Sequence, residues 1–478
     1  MELNNYEIII GLEIHCQLKT KSKLFCSCPA EFEREPNINV CPVCLGFPGT
    51  LPVLNKRAIE LALKLALALN CEINRKSSFA RKHYFYPDLP KGYQITQYKE
   101  PLAYNGYLLI DNKKIRIRRV HLEEDSGKLI HTPKETLIDF NRAGVPLVEI
   151  VTEPDFRSPK EVTSFIEKLR TILIYLDISD ADMEKGNLRC EPNISLRYNN
   201  LSSERREIKN LNSIKNVYQA LEYEIEYQKN LLEKGERIER ATLLWNEKER
   251  RTEIMRAKEE EEDYRYFPEP DLPSLIIDEE EILKIKEEIK ELPEERKNRL
   301  IREYNLKEEF AEIIIKDKYL CDYYEDLMKL VKDKNLATNW LINEVLRVLN
   351  EKKIKINEFP LKITELATFL NLLSENKIPR GKVKEKFYQL AEKKIKIEDI
   401  LKTTEIKQEK GSFTQITFSD IEKVIEEVLA QEKEVVEKYK KGKKGVIGYL
   451  IGEVVKKLEG KVDPREIREE IIKILEKD

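Results

Sequence analysis

One carboxylate constrains this chain more than any other residue. Glu149 lies in the run Leu147-Val148-Glu149-Ile150-Val151, within the stretch LIDFNRAGVPLVEIVTEPD (137–155). In a strand, Leu147, Glu149 and Val151 share one face, and Val148 and Ile150 the other. Apolar residues on both faces predict a strand covered on both sides. An ionised Glu149 there is costly unless something positive meets it. A metal ion, a basic side chain and a proton are the three possible partners. The preceding turn carries Asn141 and Arg142, placed to fix the strand's end beside a cleft.

Other polar residues on apolar strands are the candidates for that company. EIIIGLEIH (7–15) reads as a strand with Glu13 and His15 on one face and Leu12 and Ile14 on the other. This pair suits a divalent-cation or phosphate-transfer site, or equally a buried structural Glu–His pair. KIRIRRVHLEEDSGK (114–128) alternates as a strand and ends in Glu123-Glu124-Asp125. Adjacent residues point to opposite faces, so only one of Glu123 and Glu124 can enter a given site. A cation would relieve the repulsion of these acids, and a solvated acidic turn would leave it to water.

DMEKGNLRCEPNISLRY (182–198) contains a two-faced strand. Leu188, Cys190, Ile194 and Leu196 form its apolar face, and Arg189, Glu191, Asn193, Ser195 and Arg197 its polar face. ERREIKNLNS (204–213) reads as its antiparallel neighbour, with Glu207 and Lys209 together on one face. Such a polar sheet face reads as the floor of a cleft. ARKHYFYPDLPKGYQITQY (80–98) mixes Lys82, His83 and Lys91 with tyrosines, which suits a nucleotide or RNA-end platform or a self-bonded tyrosine cluster. Met255, Arg256, Tyr264, Arg265 and Tyr266 are possible additions to the cleft.

Cys26, Cys28, Cys41 and Cys44 follow a C-x-C-x12-C-x2-C spacing. Two close pairs across a short loop can wrap four thiolates around zinc. Four thiolates leave no open position, so such a zinc is structural. Cys16, Cys71, Cys190 and Cys321 are isolated and read as core residues.

Length and charge bound the rest. A chain of 478 residues predicts roughly two to four domains. With 85 basic against 88 acidic residues, any nucleic-acid contact needs a local patch. Lys440, Lys441, Lys443 and Lys444 form the best one; they could meet RNA phosphates or simply solvate a turn. No membrane-spanning run or secretory leader is visible, which predicts a cytoplasmic protein. Asn55, Ser158-Pro159 and Asn212 mark helix starts, the last running to about Gly235. Beyond about residue 280, Lys/Glu-rich amphipathic helices take over, as in NWLINEVLRVL (339–349).

The long motifs together resemble one family, the GatB subunits of the aspartyl/glutamyl-tRNA amidotransferases. GLEIH, the CSC…CPVC pattern, HLEEDSGK, DMEKGNLRCEPNISLR, EIKNLNS, DYRYFPEPDL and LIDFNRAGVPLVEIVTEPD carry the likeness, and it spans nearly the whole chain. The resemblance implies an α+β fold: a glutamine-synthetase-like cradle with a mixed, largely antiparallel sheet (1–290), then an all-α helical domain (291–408) and a small YqeY-like, tRNA-binding tail (409–478). The absence of room for an inserted domain between 275 and 300 favours the bacterial type. It implies a ligase that uses ATP to phosphorylate the side-chain carboxylate of Glu-tRNA(Gln) or Asp-tRNA(Asn). Ammonia from glutamine, released by an amidase subunit, then forms the amide. A small third subunit completes a heterotrimer.

Carried onto this chain, the resemblance implies Mg²⁺ at Glu13, His15, Glu149 and one or both of Glu123 and Glu124. It implies ATP contacts at Lys82, Tyr84, Tyr86, Arg189 and Lys209, with Glu184, Glu191 and Glu207 in supporting or ammonia-handling roles. One position departs: the family usually has Asp after the Arg-Cys pair, and this chain has Glu191-Pro192. Two other functions compete: a non-catalytic zinc- and tRNA-binding scaffold, and a stand-alone ligase acting on free glutamate. A scaffold has no need of carboxylates on several strands, and the basic tail argues for an RNA substrate.

Overall fold

The structure is a computed structural model and describes residues 6–31, 35–199, 201–256, 264–378, 380–402, 418–440, 442–458 and 464–475. It divides into two compact units, Met1–Arg299 and Leu300–Asp478. The division falls inside the helix Pro293–Tyr304. The expected boundary at 408/409 lies outside the described residues.

The first unit is built on one large sheet. Ten of its strands lie side by side: β1 (Tyr6–Gln17), β2 (Ala80–His83), β3 (Tyr93–Thr96), β4 (Lys113–Glu124), β5 (Pro146–Thr152), β6 (Leu188–Tyr198), β7 (Arg206–Lys209), β8 (Ala241–Asn246), β9 (Arg251–Arg256) and β10 (Phe267–Pro268). Their spatial order is β9-β8-β7-β6-β1-β5-β4-β3-β2-β10. Neighbours on this path pair antiparallel except β7 and β8, which are parallel. The sheet is therefore mixed and mostly antiparallel, as expected.

Three helices cover one face: α1 (Lys56–Ala68), α2 (Pro159–Tyr175) and α3 (Ile214–Glu233). Each starts at a residue whose side chain accepts backbone N–H groups: Asn55, Ser158 and Ser213. Such a cap contributes about 1 kcal/mol. Proline at the first position of α2 costs nothing there, since that N–H has no helical partner. Against these helices pack Ile10, Leu12 and Ile14 of β1, Val148 and Ile150 of β5, and Cys190 and Ile194 of β6, all at most 2% exposed. Burying each large aliphatic side chain contributes about 1.5–3 kcal/mol. The alternation that drives these residues inward sends their odd-numbered neighbours to the opposite face.

The second unit is helical. Tyr324 is fully buried and its hydroxyl lies 3.0 Å from Thr338 Oγ1. Trp340, Phe369 and Phe387 form an aromatic core beside it. The predicted helix at 339–349 is present, with one wider π-helical turn at Leu341–Val345. A separate small core of Ile425, Val428, Leu450, Val454, Ile467 and Ile471 joins the last helices. The chain is thus a sheet-based first unit followed by a helical region, and no described helix is long and apolar enough to cross a membrane.

Candidate active site

The polar face of the sheet floors an open cavity of about 540 Å³. Its residues form a lattice set by strand register. One row runs His121 (β4), Glu149 (β5), His15 (β1), Arg189 (β6); the next runs Arg119, Val151, Glu13, Glu191. Rows of this kind are about 7 Å apart and neighbouring strands about 4.8 Å. Side chains from four strands therefore converge without any strained loop.

The lattice produces two acidic groups rather than one. In the first, His15 Nε2 lies 3.4 Å from Glu123 Oε1 and 3.7 Å from Glu149 Oε2. One ligand atom from each residue falls within 4.8 Å of the others. Opposite ligands of an octahedral Mg²⁺ stand about 4.2 Å apart, so the donor set fits a hard divalent cation. In the second, Glu13, Glu191 and Glu207 converge in the same way. Lys209 Nζ bonds Glu191 at 2.5 Å and lies 3.3 Å from Glu207, and Asn193 Nδ2 donates to Glu13. Glu13 thus belongs with Glu191 and not with His15, because residues two apart on β1 face different residues of the same neighbouring strands: Glu13 faces Val151 and Glu191, and His15 faces Glu149 and Arg189.

Burial and mutual repulsion shape the charges. Burial, reinforced by the charge of Glu149, pushes the Glu123 carboxyl up to about 8. Burial opposes the Glu149 carboxylate too, but His121, His15 and Lys82 hold its pKa well below the usual range. Burial holds the His15 and His121 imidazoles below their ordinary pKa. It also opposes the Lys82 ammonium, yet Tyr266, Glu123 and Glu149 hold that group's pKa above the lysine norm.

Lys82, Tyr84, Tyr98, Tyr264 and Tyr266 line one end of the cavity. Tyr98 and Tyr266 stack with centroids 4.0 Å apart, and Lys82 Nζ lies 4.8 Å over the Tyr264 ring. Arg189 and Lys209 line the floor.

Other expected placements fail too. Glu124 is on the far side of β4, held by Lys91 and the Ile95 N–H, so it cannot join Glu149. Glu184 is an exposed turn residue outside the cavity, because the chain bends before β6 begins. Tyr86 is 47% exposed and lies outside the lining, since its loop turns to solvent after Tyr84. Met255, at 48% exposure on the edge strand β9, is also outside it. The sequence reading missed His121, whose Nε2 is 3.1 Å from Glu149 Oε2. It shares a face with Glu123 two residues on, a signal available from strand periodicity alone.

The four cysteines converge at a separate place, each with an Sγ within 4.8 Å of the others. Cys41 and Cys44 Sγ atoms are 3.9 Å apart, close to the roughly 3.8 Å edge of a tetrahedral zinc–thiolate site. Fully buried Lys23 places Nζ 3.7 Å from Cys44 Sγ. Cys16, Cys71, Cys190 and Cys321 are buried and apart, as core residues should be. Asn141 ties the cysteine loop to the turn before β5, accepting from the Asn39 N–H and donating to the Glu35 carbonyl. In the second unit, Lys440, Lys443 and Lys444 are exposed around a turn after the helix Lys433–Lys440; Lys441 lies outside the described residues.

Comparison with known proteins settles the lineage. A profile described as the GatB/GatE catalytic domain matches residues 8–283, and one described as a GatB domain matches 322–475. The chain belongs to the GatB family. It is 47% identical over 479 residues to the GatB-type subunit of the aspartyl/glutamyl-tRNA(Asn/Gln) amidotransferase of Thermodesulfovibrio yellowstonii, covering 98% of this chain and 99% of that one. The protein of the same name from Thermosipho melanesiensis is also 47% identical, over 97% and 98% of the two chains. That from Carboxydothermus hydrogenoformans is 44% identical over 98% of each. The GatB catalytic match covers every residue of the two acidic groups and all four cysteines.

Proposed function

We propose that the cavity is the ATP-dependent centre of a tRNA amidotransferase. The substrate is glutamate or aspartate esterified to tRNA. A side-chain carboxylate oxygen attacks the γ-phosphorus of ATP, the bond to ADP breaks, and an acyl phosphate forms. Ammonia from an amidase partner then attacks the acyl carbon, phosphate leaves, and the ammonium proton passes to solvent. This places the chain among the carbon–nitrogen ligases that use glutamine as amide donor, working in the cytoplasm with an amidase and a small third subunit.

The observation that carries the reading is the convergence of His15, Glu123 and Glu149 beside Lys82 and Arg189 in one cavity. Phosphoryl transfer needs alignment and charge neutralisation more than a protein nucleophile. Mg²⁺ held by His15, Glu123 and Glu149 would neutralise and align the phosphate oxygens. Lys82 and Arg189 bring permanent positive charge to the same place. Glu13, Glu191 and Glu207 can hold a second divalent cation, with Lys209 as the resident counter-charge that it displaces. A scaffold would gain nothing from gathering five carboxylates and an imidazole in one cavity, with Glu123, Glu149 and Glu207 buried, at such desolvation cost.

The four cysteines hold zinc, with a structural role because four thiolates complete its shell. Lys440, Lys441, Lys443 and Lys444 contact tRNA phosphates, a contact that positions without reading sequence.

The test is Glu149→Gln in the assembled complex. ATP-dependent amidation of Glu-tRNA and Asp-tRNA should be abolished while tRNA affinity changes little. Full activity would remove the catalytic assignment.

A further inference from the structure

Asp125 follows the two glutamates of β4 and is buried, at 3% exposure. Its carboxylate accepts three hydrogen bonds and faces a second arginine. Oδ1 accepts from Arg189 Nη2 at 2.9 Å and from the Ser126 N–H at 2.9 Å. Oδ2 accepts from Gln17 Nε2 at 2.7 Å and faces Arg142 Nε at 3.6 Å. Its backbone is fixed as well: its N–H donates to the Val145 carbonyl, and its carbonyl accepts from the Gly144 N–H. Arg142 in turn donates to the Ser126 and Gly127 carbonyls. A carboxylate held this firmly fixes whatever it holds.

What it holds is an arginine with a donor to spare. Arg189 stands across from His15 in the strand register and lines the cavity. Its Nε is buried and has no hydrogen-bond partner among the described residues. A buried, unpaired guanidinium N–H is costly, so it is sustained where an acceptor arrives with the ligand. A planar guanidinium pinned at one nitrogen presents its remaining N–H groups in a fixed fork, a shape matched to phosphoryl oxygens.

We propose that Asp125 is the positioning residue that aims Arg189 at the transferred phosphoryl group. The proposal rests on the phosphoryl-transfer reading of the cavity. Asp125 touches no reacting atom; it acts through Arg189. Gln17 and the Arg142 turn brace Asp125 from the other side, so the aim of Arg189 is set by residues of β1 and of the turn before β5. Misplacing a catalytic group by about 1 Å can cost up to about a hundredfold in rate.

The test is a double-mutant cycle in the complete amidotransferase complex. Asp125→Asn should lower kcat for ATP-dependent amidation roughly ten- to a hundredfold, with the KM for ATP and for aminoacyl-tRNA within about twofold. Arg189→Lys should lower kcat comparably, and adding Asp125→Asn to it should lower kcat little further. Equal losses from Asp125→Asn in both backgrounds, or an unchanged kcat, overturn the positioning role. An Arg189→Lys variant with full kcat instead overturns the phosphoryl-transfer reading of Arg189, a separate failure. If Asp125→Asn does not fold, Gln17→Met serves: it removes one brace from Oδ2 and should give a smaller loss in kcat that vanishes in the Arg189→Lys background. Persistence of that loss overturns the proposal.

Discussion

Glu123 and Glu124 are consecutive, yet their carboxylates lie on opposite faces of β4. Glu123 Oε1 is 3.4 Å from His15 Nε2, whereas Glu124 is clasped by Lys91 at 2.5 Å. The two residues should therefore fail differently. Glu123→Gln removes a proposed cation ligand and should abolish Mn²⁺ binding at the first acidic group, read by isothermal titration or Mn²⁺ electron paramagnetic resonance. Glu124→Gln leaves a nearly buried ammonium on Lys91 without its counter-charge. It should keep the Mn²⁺ site and lower stability by about 3–5 kcal/mol, read by thermal or urea unfolding. Loss of the cation from Glu124→Gln alone would overturn the assignment.

The choice between these two glutamates was not legible from alternation, and β4 shows why. Ile115 and Ile117 face the core, and so do Val120 and Leu122. The parity switches between them because β4 and β5 change register there: Val151 pairs with Arg119 and Thr152 with Ile117, leaving Arg118 as an extra residue. Counting from Ile115 sends Glu124 to the cavity; counting from Val120 sends Glu123. A bulge re-aims side chains in this way, and only the partner strand reveals it. The faces of β1 and β6 have no such irregularity, and there the polar and apolar sets were readable residue by residue. The sorting of Glu13 away from His15 was not readable, since it depends on which residues of β5 and β6 each one faces across the register.

The second acidic group sets up a count. Glu13, Glu191 and Glu207 lie together with Lys209 between two of them. With ATP present, Mn²⁺ titration should reach two ions per chain in the wild type. Glu191→Gln removes one carboxylate while Lys209 still opposes the cation, so the count should fall to one. A count of one in the wild type would mean that Lys209 alone neutralises this group.

Metal at the cysteines would support more than its own loop. The Lys23 ammonium lies between Cys44 Sγ and the Phe140 carbonyl, and the Leu24 N–H donates to the Gly144 carbonyl. The loop therefore braces the turn that leads into β5 and Glu149. Purified protein should contain about one zinc per chain by elemental analysis. Cys41→Ser with Cys44→Ser should remove it and lower the unfolding temperature. A metal-free wild type of undiminished stability would rule the site out.

A different carboxylate gives the chain a pH signature away from any cation. Glu344 is 5% exposed in the second unit. Burial alone would raise its pKa, but Lys384 Nζ at 2.7 Å and the Tyr388 hydroxyl at 2.5 Å hold it below the usual carboxylate value. A pKa depressed on folding adds stability that is complete above the unfolded value, about 4.3 for Glu, and is lost as pH falls through the folded one. Lys384 is largely exposed, so solvent screens its share. Glu344→Gln should therefore cost about 1–2 kcal/mol at pH 7 and much less at pH 3. Trp340 lies four residues earlier, beside this turn, and reports the second unit when its fluorescence is followed through urea unfolding in a Trp245→Phe background. A wild-type-to-variant difference that stays constant from pH 7 to pH 3 would show that Glu344 is not held ionised by these partners.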